Sequence, residues 1–439
     1  MLFFCTDFGT SAVKTSILDE QGNLLSWAKK EYPYQLLPGE KVEISPHDLW
    51  SAFFQAADSI DPGLKQKVGC LCYDTFSPSP VFLDKEGDLV YPNIITHMDR
   101  RSRAQTAIID QMVGKDEYLK ISGIYPFPGG CSAMTYLWFK QNQPEYLEKS
   151  FHTGHLTTYL HKKLTGKWMT DLVNASMMGL YCTTAQSGWS EELIRTFSLP
   201  RSLFCDIYNP GIPLGTLLSP MAEKLGLKSG IPVTVGTNDV AAAQAGADNY
   251  KAGDIMNTTG SSEMISILTD KPVTSSHYYL RNAALPGLWQ IYATTAGGFA
   301  VDWFYRQFCR EIPQENFYTS YISNAIEANL EDKEISFDPY LTGDRQSLER
   351  KTGAWHGLTL ATTREQMLTA LLRSIQKVLS AAIDEARYAL PLSPVIKISG
   401  GMATPAYLQL KKHEIPGFSF EVVDDCPLKG CMGLAKLYL

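Results

Sequence analysis

Two short glycine-containing turns constrain the fold of this 439-residue chain more than any other feature. The first, DFGTS at residues 7–11, follows one apolar segment and precedes another. The second, TGSS at residues 259–262, has the same setting about 250 residues later. Either turn alone is common, but their recurrence in both halves favours a duplicated arrangement. We therefore predict an α/β fold with two similar lobes and a ligand between them.

The rest of the chain supports this prediction, because strand patterns give way to helical patterns and then restart. Three strands are predicted before residue 31, and a second hairpin over residues 80–90. Residues 100–230 are mostly helical in pattern, and a strand followed by a helix recurs from residue 231. The longest periodic pattern predicts a helix over residues 364–390. A chain of this length exceeds one ordinary core, so two or three domains are expected.

The segment PVTVGTNDVAAAQAGAD, residues 232–248, places one carboxylate, Asp239, between a predicted strand and an alanine-rich helix. Two interpretations stay open at this point. Asp and Asn are favoured where a helix begins, because their oxygens accept its unpaired N–H groups. The alternative is a catalytic base held at the carboxyl end of a strand. No role is predicted for the neighbouring Asn238.

The glycine turns are suited to anion binding. A turn of Gly and small hydroxyl residues can direct successive backbone N–H groups at a phosphate, and Asp7 beside it could hold Mg²⁺ through water. Taken alone, each turn is better explained as a plain hairpin. Gly297 and Gly298 open a predicted helix, whose positive end suits a phosphate or ribose. Gly400 and Gly401 lie between a strand and a helix, where backbone can approach a flat ligand such as adenine.

Composition excludes some classes of function. The formal net charge of −7 argues against a nucleic-acid binder, although it leaves room for a small anionic ligand. The nine cysteines form no C-x-x-C pair, which indicates reduced structural thiols rather than a zinc or redox site. No stretch approaches the roughly 20 apolar residues of a membrane span. We expect a cytoplasmic protein that contacts neither nucleic acid nor a membrane.

The ordered motifs resemble those of the FGGY carbohydrate kinases, within the actin, Hsp70 and sugar-kinase superfamily. Seven segments occur in the family's order and cover nearly the whole chain: DFGTSAVKTSILDEQGNLL, YPNIITHMDRRS, LTGKWMTDLVNASMMGLYCTTAQSGWSEEL, GIPVTVGTNDVAAAQAGA, GDIMNTTGSS, PYLTGDR and ISGGMATPAYLQL. The resemblance implies two actin-like (ribonuclease H-like) lobes with a cleft between them. It also implies a mainly sugar-binding lobe over residues 1–237 and a mainly ATP-binding lobe over residues 238–439.

The resemblance further implies transfer of the γ-phosphoryl group of Mg·ATP to a sugar hydroxyl. Asp239 matches the family's general base, and Asp7 and Asp239 are the expected contacts of Mg²⁺. The partners are a small sugar and ATP, and a homodimer is compatible with the family. The expected ATP- and phosphate-binding residues are Gly9, Thr10, Ser11, Gly260, Ser261, Ser262, Gly298, Asp302, Gly401 and Met402.

The expected sugar-binding wall departs from the family pattern. Residues 76–78 stand where many relatives carry polar or charged residues, and His97 replaces a usual Trp. For Asp99, substrate contact and structural ion pairing both stay open. Pentuloses, hexuloses, aldonates and small polyols remain as substrates, and a catalytically weak sugar- or ATP-binding sensor is the alternative function. Besides Asp239, the predicted substrate-binding residues are Asp74, Phe76, Ser77 and Asp99.

Overall fold

The computed structural model describes residues 1–260, 262–341 and 351–439. The strands of the first half are β1 (Leu2–Phe8), β2 (Ala12–Leu18), β3 (Leu24–Glu31), β4 (Gln35–Leu37), β5 (Lys41–Ile44), β6 (Val68–Thr75), β7 (Val81–Leu83), β8 (Ile94–Ile95), β9 (His152–Gly154), β10 (Thr170–Asp171), β11 (Ile207–Tyr208), β12 (Pro213–Thr216), β13 (Pro232–Thr234) and β14 (Thr237–Asn238). Its helices are α1 (Pro46–Asp58), α2 (Pro62–Lys65), α3 (Gln105–Met112), α4 (Lys115–Ser122), α5 (Ser132–Asn142), α6 (Pro144–Lys149), α7 (Leu156–Thr165), α8 (Leu172–Met177), α9 (Glu191–Thr196) and α10 (Ser219–Leu225).

The second half continues with another set of strands and helices. The strands are β15 (Ile255–Thr259), β16 (Glu263–Thr269), β17 (Tyr279–Asn282), β18 (Trp289–Thr295), β19 (Ser336–Asp338), β20 (Ala354–His356), β21 (Val395–Ser399) and β22 (Ser419–Val422). The helices are α11 (Asp239–Gly246), α12 (Gly297–Phe308), α13 (Gln314–Asn316), α14 (Ile322–Asn329), α15 (Arg364–Ala389), α16 (Pro405–Glu414) and α17 (Cys426–Lys436).

Two large sheets repeat one connectivity. The first has the order β12-β13-β6-β1-β2-β3, and the second has the order β17-β18-β16-β15-β21-β22. In the first, β3, β2 and β1 are antiparallel neighbours, whereas β1, β6 and β13 are parallel. In the second, β18, β16 and β15 are antiparallel, whereas β15, β21 and β22 are parallel. The predicted pair of similar α/β lobes is confirmed.

Local sequence explains the main elements. Helix α1 begins after Ser45, whose hydroxyl accepts the Asp48 N–H, and its apolar face packs on the first sheet. Helix α15 begins with a reciprocal capping box between Thr363 and Gln366 and packs against the second sheet. Both glycine turns join antiparallel strands, β1 to β2 and β15 to β16.

Three local expectations need correction. The predicted hairpin over residues 80–90 is present but short: Leu83 and Leu89 form one bridge, and the Val90 N–H donates to the Phe82 carbonyl at 2.8 Å. Strand β7 also pairs with β9, which was not predicted. The long helix ends at Ala389, one residue early. Strand β17 was not predicted, since its four residues include Arg281 and Asn282, which weaken the apolar signal.

Helices α11 and α17 cross between the two sheets. They pack directly on each other, and α17 also contacts β1 and β6 of the first sheet. The crossing depends on glycine, because a Cβ on Gly246 would lie 1.8 Å from the carbonyl oxygen of Cys426. The predicted lobe boundary after residue 237 falls within β14 and stays a prediction. Within the described ranges, every helix is too short or too polar to cross a bilayer.

Candidate active site

Three carboxylates meet at one end of the first sheet. Asp7 near the end of β1 lies opposite Asp74 on the parallel strand β6. Asp74 lies in turn opposite Thr237 on β14, which is followed two residues later by Asp239. Because parallel strands end at the same edge of a sheet, residues distant in sequence are brought together there. This edge is where open α/β sheets bind their ligands.

The local structure around Asp239 settles which residue caps the helix. Asn238 is the N-cap, and its Oδ1 accepts the N–H groups of Val240 and Ala241 at 3.2 and 3.3 Å. Asp239 is the first helical residue, and its Oδ1 accepts hydrogen bonds from Asn238 Nδ2 at 2.7 Å and Val240 N at 2.8 Å. In the described part of the chain its Oδ2 accepts no hydrogen bond. The cap interpretation therefore belongs to Asn238, a role that sequence reasoning missed.

Burial raises the pKa of all three carboxylates, and the charge of Asp7 adds to this effect at the other two. Burial raises the pKa of Asp239 to about 7, and the charge of Asp7 adds to this effect, while the Val240 N–H, Arg281 and Asn238 oppose it. Burial and Asp7 raise the pKa of Asp74 well above its usual range. Burial also raises the pKa of Asp7, against the influence of Asp74 and Lys14. The result is a concentration of negative charge that a cation would relieve.

A cavity of about 260 Å³, here called the cleft cavity, joins Asp239 to both glycine turns. A smaller cavity of about 50 Å³, the side cavity, adjoins it and shares Ser77, His97, Arg281 and Tyr292 with its lining. Of the residues predicted from sequence, the cleft cavity brings together Thr10, Ser11, Phe76, Ser77, Asp239, Gly260 and Ser262.

Other predicted ATP-binding residues do not line the cleft cavity. The N–H of Gly298 donates to the Gly260 carbonyl at 2.9 Å, and Asp302 forms an ion pair with Arg306. Gly9 closes its own turn, since its N–H donates to the Ala12 carbonyl at 2.9 Å. Gly401 and Met402 follow β21, beside the start of α16. Ser261 and the GDR end of PYLTGDR lie outside the described residues, and all these nucleotide roles stay predictions.

Two of the predicted substrate-binding residues lie away from the described cavities, and their substrate contacts stay predictions. Asp99 is buried and ion-paired with Arg101, with Oδ2 accepting the Val42 N–H at 2.8 Å, so its geometry favours structural pairing. Asp74 lies beneath the cleft, where its Oδ2 accepts a hydrogen bond from the Cys431 thiol at 2.9 Å. Neither residue lines a described cavity. Both carboxylates are therefore placed to stabilise neighbouring residues rather than to contact a ligand in these cavities.

The wall near Asp239 contains a residue that sequence reasoning missed. Arg281 on β17 lines both cavities, and its charge lowers the pKa of Asp239. Ser77 is held in place by a hydrogen bond from its hydroxyl to Asn174 Oδ1 at 2.6 Å. A single arginine inside the apolar segment YYLRNAAL was the available signal for Arg281, because buried charges are unusual without a function or partner.

The carboxylate groups fit a hydrated magnesium ion. Across residues 1–260, 262–341 and 351–439, no three His, Cys, Asp or Glu side chains are arranged to hold a metal by themselves. Mg²⁺ rarely needs such a set, because it keeps several waters and shares one or two carboxylates with substrate phosphates. The raised pKa values of Asp7 and Asp239 indicate unrelieved negative charge, which suits this mode of binding.

Comparison with known proteins agrees with the two-lobed architecture. The N-terminal domain model of the FGGY family of carbohydrate kinases matches residues 2–246. The xylulose kinase of Escherichia coli (strain K12) is 23% identical over 455 aligned positions, covering 99% of this chain and 89% of that protein. The L-fuculokinase of Salmonella typhi is 24% identical, with coverage of 95% and 88%. The crystal structure of a ligand-bound xylulose kinase from Lactobacillus acidophilus gives a TM-score of 0.87 at 19% identity, covering 99% and 89%.

The family match and the curated relatives together define a phosphotransferase of the sugar-kinase class. The chain belongs to the FGGY family of carbohydrate kinases, since the family model matches more than half of it. It is a sugar kinase, which uses ATP and an alcohol group as acceptor.

Proposed function

We propose that the chain transfers the γ-phosphoryl group of ATP to one hydroxyl of a small sugar, with Asp239 as the general base. The sugar is a ketose such as a pentulose, an aldonate or a polyol. The observation that carries this proposal is the cleft cavity, in which Asp239 lies together with Thr10 and Ser11 of the first turn and Gly260 of the second. Residues 1–237 bind mainly the sugar, and residues 238–439 bind mainly ATP.

In this mechanism the acceptor oxygen bonds to the γ-phosphorus as the bond from that phosphorus to the ADP oxygen breaks. Asp239 accepts the hydroxyl proton during this step and later releases it to water. A base whose pKa lies near 7 suits this role at neutral pH. Catalysis depends mainly on positioning the acceptor hydroxyl against the γ-phosphate and on neutralising phosphate charge, because phosphoryl transfer requires little covalent chemistry from the protein. Mg²⁺, held by Asp7, Asp239 and water, supplies charge neutralisation when bound.

The test is ADP release by wild type and Asp239→Asn across a panel of ketoses, aldonates and polyols. Removal of a general base lowers turnover by a factor of about 10² to 10⁴. Asp270→Asn, which changes an exposed aspartate far from the cleft cavity, is the matched control and keeps full activity. Turnover like that of wild type in Asp239→Asn contradicts the proposal. Sugar binding without ADP release from any acceptor supports the sensor alternative.

A further inference from the structure

The side cavity contains a buried arginine without a carboxylate partner. Arg281 is 5% exposed, and within the described ranges no Asp or Glu oxygen lies within ion-pair distance of it. Its guanidinium lies over the Tyr292 ring, 3.4 Å from the centroid, and Nη1 is 3.6 Å from Met177 Sδ. A thioether is a weak acceptor, whereas a guanidinium offers five donors. Burial of such a charge is costly unless an anion compensates it, so this position favours an anionic ligand.

Other residues of the side cavity also favour an anionic ligand. Arg100 lines the cavity on another element, held by hydrogen bonds from Nη1 to the His97 and Asp99 carbonyls at 2.8 and 2.9 Å. The hydroxyl of Thr294, a buried lining residue, has no hydrogen-bond partner among the described residues. None of the described lining residues is acidic. The side cavity therefore combines two guanidinium groups and an unpartnered hydroxyl.

The position of the side cavity relates Arg281 to the acceptor. Ser77, His97 and Arg281 line both cavities, and Arg281 lines the cleft cavity together with Asp239. A small molecule can therefore contact Arg281 at one end and present a hydroxyl to Asp239 at the other. ATP approaches from the glycine turns, which line only the cleft cavity.

We propose that the acceptor is a sugar acid, whose carboxylate is bound by Arg281 in the side cavity while one of its hydroxyls faces Asp239. This inference rests on the proposed kinase function and narrows its substrate to one class. A planar carboxylate matches the guanidinium fork with two parallel hydrogen bonds. A phosphorylated sugar would bring more negative charge towards Asp7, Asp74 and Asp239. A neutral sugar leaves the buried guanidinium without an anion.

The first experiment compares matched acceptors on the wild-type protein. Five- and six-carbon aldonates are each paired with the alditol of the same stereochemistry, so that a carboxylate replaces only a CH₂OH group. Ketoses and sugar phosphates complete the panel, and ADP release gives kcat/KM. A charge-assisted contact of this kind predicts a preference of about 10- to 100-fold for the acid within the best pair. Equal or better use of the neutral partner, or of a sugar phosphate, overturns the inference.

The second experiment removes the guanidinium. Arg281→Met keeps the length and packing of the side chain without its charge, and Arg281→Lys keeps the charge without the fork. We expect the acid-to-alditol ratio of kcat/KM to fall to about one in Arg281→Met and to an intermediate value in Arg281→Lys. Arg195→Met, at an exposed arginine on α9, keeps the wild-type ratio. A ratio is unaffected by partial misfolding, and an unchanged ratio in Arg281→Met overturns the inference.

A binding measurement separates this inference from the proposed kinase function. Calorimetric titration of aldonates and alditols without ATP uses wild type, Asp239→Asn and Arg281→Met. If aldonate binding depends on Arg281 but no acceptor gives ADP release, the carboxylate site at Arg281 is supported and the proposed kinase function is contradicted. If neutral sugars are phosphorylated in an Asp239-dependent reaction and aldonates do not bind, the kinase function is supported and the carboxylate site at Arg281 is contradicted. Absence of both aldonate binding and turnover overturns the acid site as well as the kinase.

Discussion

The two glycine turns have the same strand connectivity but opposite electrostatic surroundings. Beside the first turn, Asp7 and Asp74 repel each other, and Lys14 is shared with Asp425. Beside the second turn, the buried carboxylate of Glu263 is ion-paired with Lys411 and accepts a hydrogen bond from the Tyr407 hydroxyl at 2.6 Å. One turn therefore adjoins uncompensated negative charge, and the other adjoins a neutralised pair.

This difference shows that one topology can serve two kinds of ligand contact. The strand order places both turns at the cleft cavity, but it does not fix the charge next to them. Excess negative charge beside the first turn favours a cation, whereas the balanced second turn presents backbone to an anion without opposing it. The same change, carboxylate to amide, should therefore have opposite effects on stability at the two turns.

The largest effect is expected at the second turn. Glu263→Gln leaves Lys411 charged and buried without its counter-ion, which costs about 3–5 kcal/mol of unfolding free energy. Urea unfolding measures this loss. Glu117→Gln breaks the exposed Glu117–Lys120 pair and changes stability by less than about 1 kcal/mol. If Glu263→Gln lowers the unfolding free energy no more than Glu117→Gln does, the carboxylate beside the second turn does not neutralise a buried charge.

The first turn should respond in the opposite direction. Because burial and Asp7 raise the pKa of Asp74, folding favours its neutral form, and the penalty grows as pH rises above the unfolded value near 4. Asp74→Asn should therefore be more stable than wild type at pH 7, because the amide carries no charge that must be buried. The gain should disappear near pH 4. Asp270→Asn is the exposed control, and destabilisation by Asp74→Asn at pH 7 would contradict the prediction.

The protonation state of Asp239 should control the pH dependence of turnover. Its ionised form accepts the proton, so kcat/KM should rise with pH and level off above about 7. Stability should change with the opposite slope, falling between the unfolded pKa near 4 and the folded value near 7. Arg281→Met should move the acidic limb to higher pH, because Arg281 lowers the pKa of Asp239. A pH profile flat between 5 and 8 in the wild type would exclude Asp239 as the titrating base.

The smallest expected effect is at the helix cap. Asn238→Ala removes the side chain that caps α11 and donates to Asp239, at a cost of about 1 kcal/mol in stability. Asn238→Ser restores a capping oxygen without the donor to Asp239 Oδ1. We expect Asn238→Ser to recover stability but to keep a changed pH profile of turnover. Full recovery of both properties would assign Asn238 a purely structural role.

The predictable parts of the molecule are those encoded locally. Apolar runs and glycine turns were sufficient to predict both hairpins, and the restart of the pattern after residue 230 indicated the second lobe. Arg281 was missed because its strand is short and its burial depends on partners from other elements, including Met177. The buried contact of Asp74 with Cys431 could not be predicted, because the two residues lie 357 positions apart, a distance over which sequence carries no periodic signal.

Asn238 illustrates a different limit of prediction from sequence. Both Asn238 and Asp239 have side chains that favour helix starts, so the sequence alone does not decide between them. The choice depends on where β14 ends, because that fixes which residue takes the extended backbone of the cap. Only the paired strands of the first sheet determine that position.

The crossing of α17 beneath the first sheet has a consequence for how the chain is made. Cys5, Cys72 and Leu428 belong to one buried apolar cluster, although α17 is synthesised long after β1 and β6. The first sheet is therefore synthesised long before the helix that covers this surface, which leaves apolar side chains exposed in the meantime. Limited proteolysis should show protection of β1 in the full chain but not in a chain truncated before α17; equal protection in both would contradict this dependence.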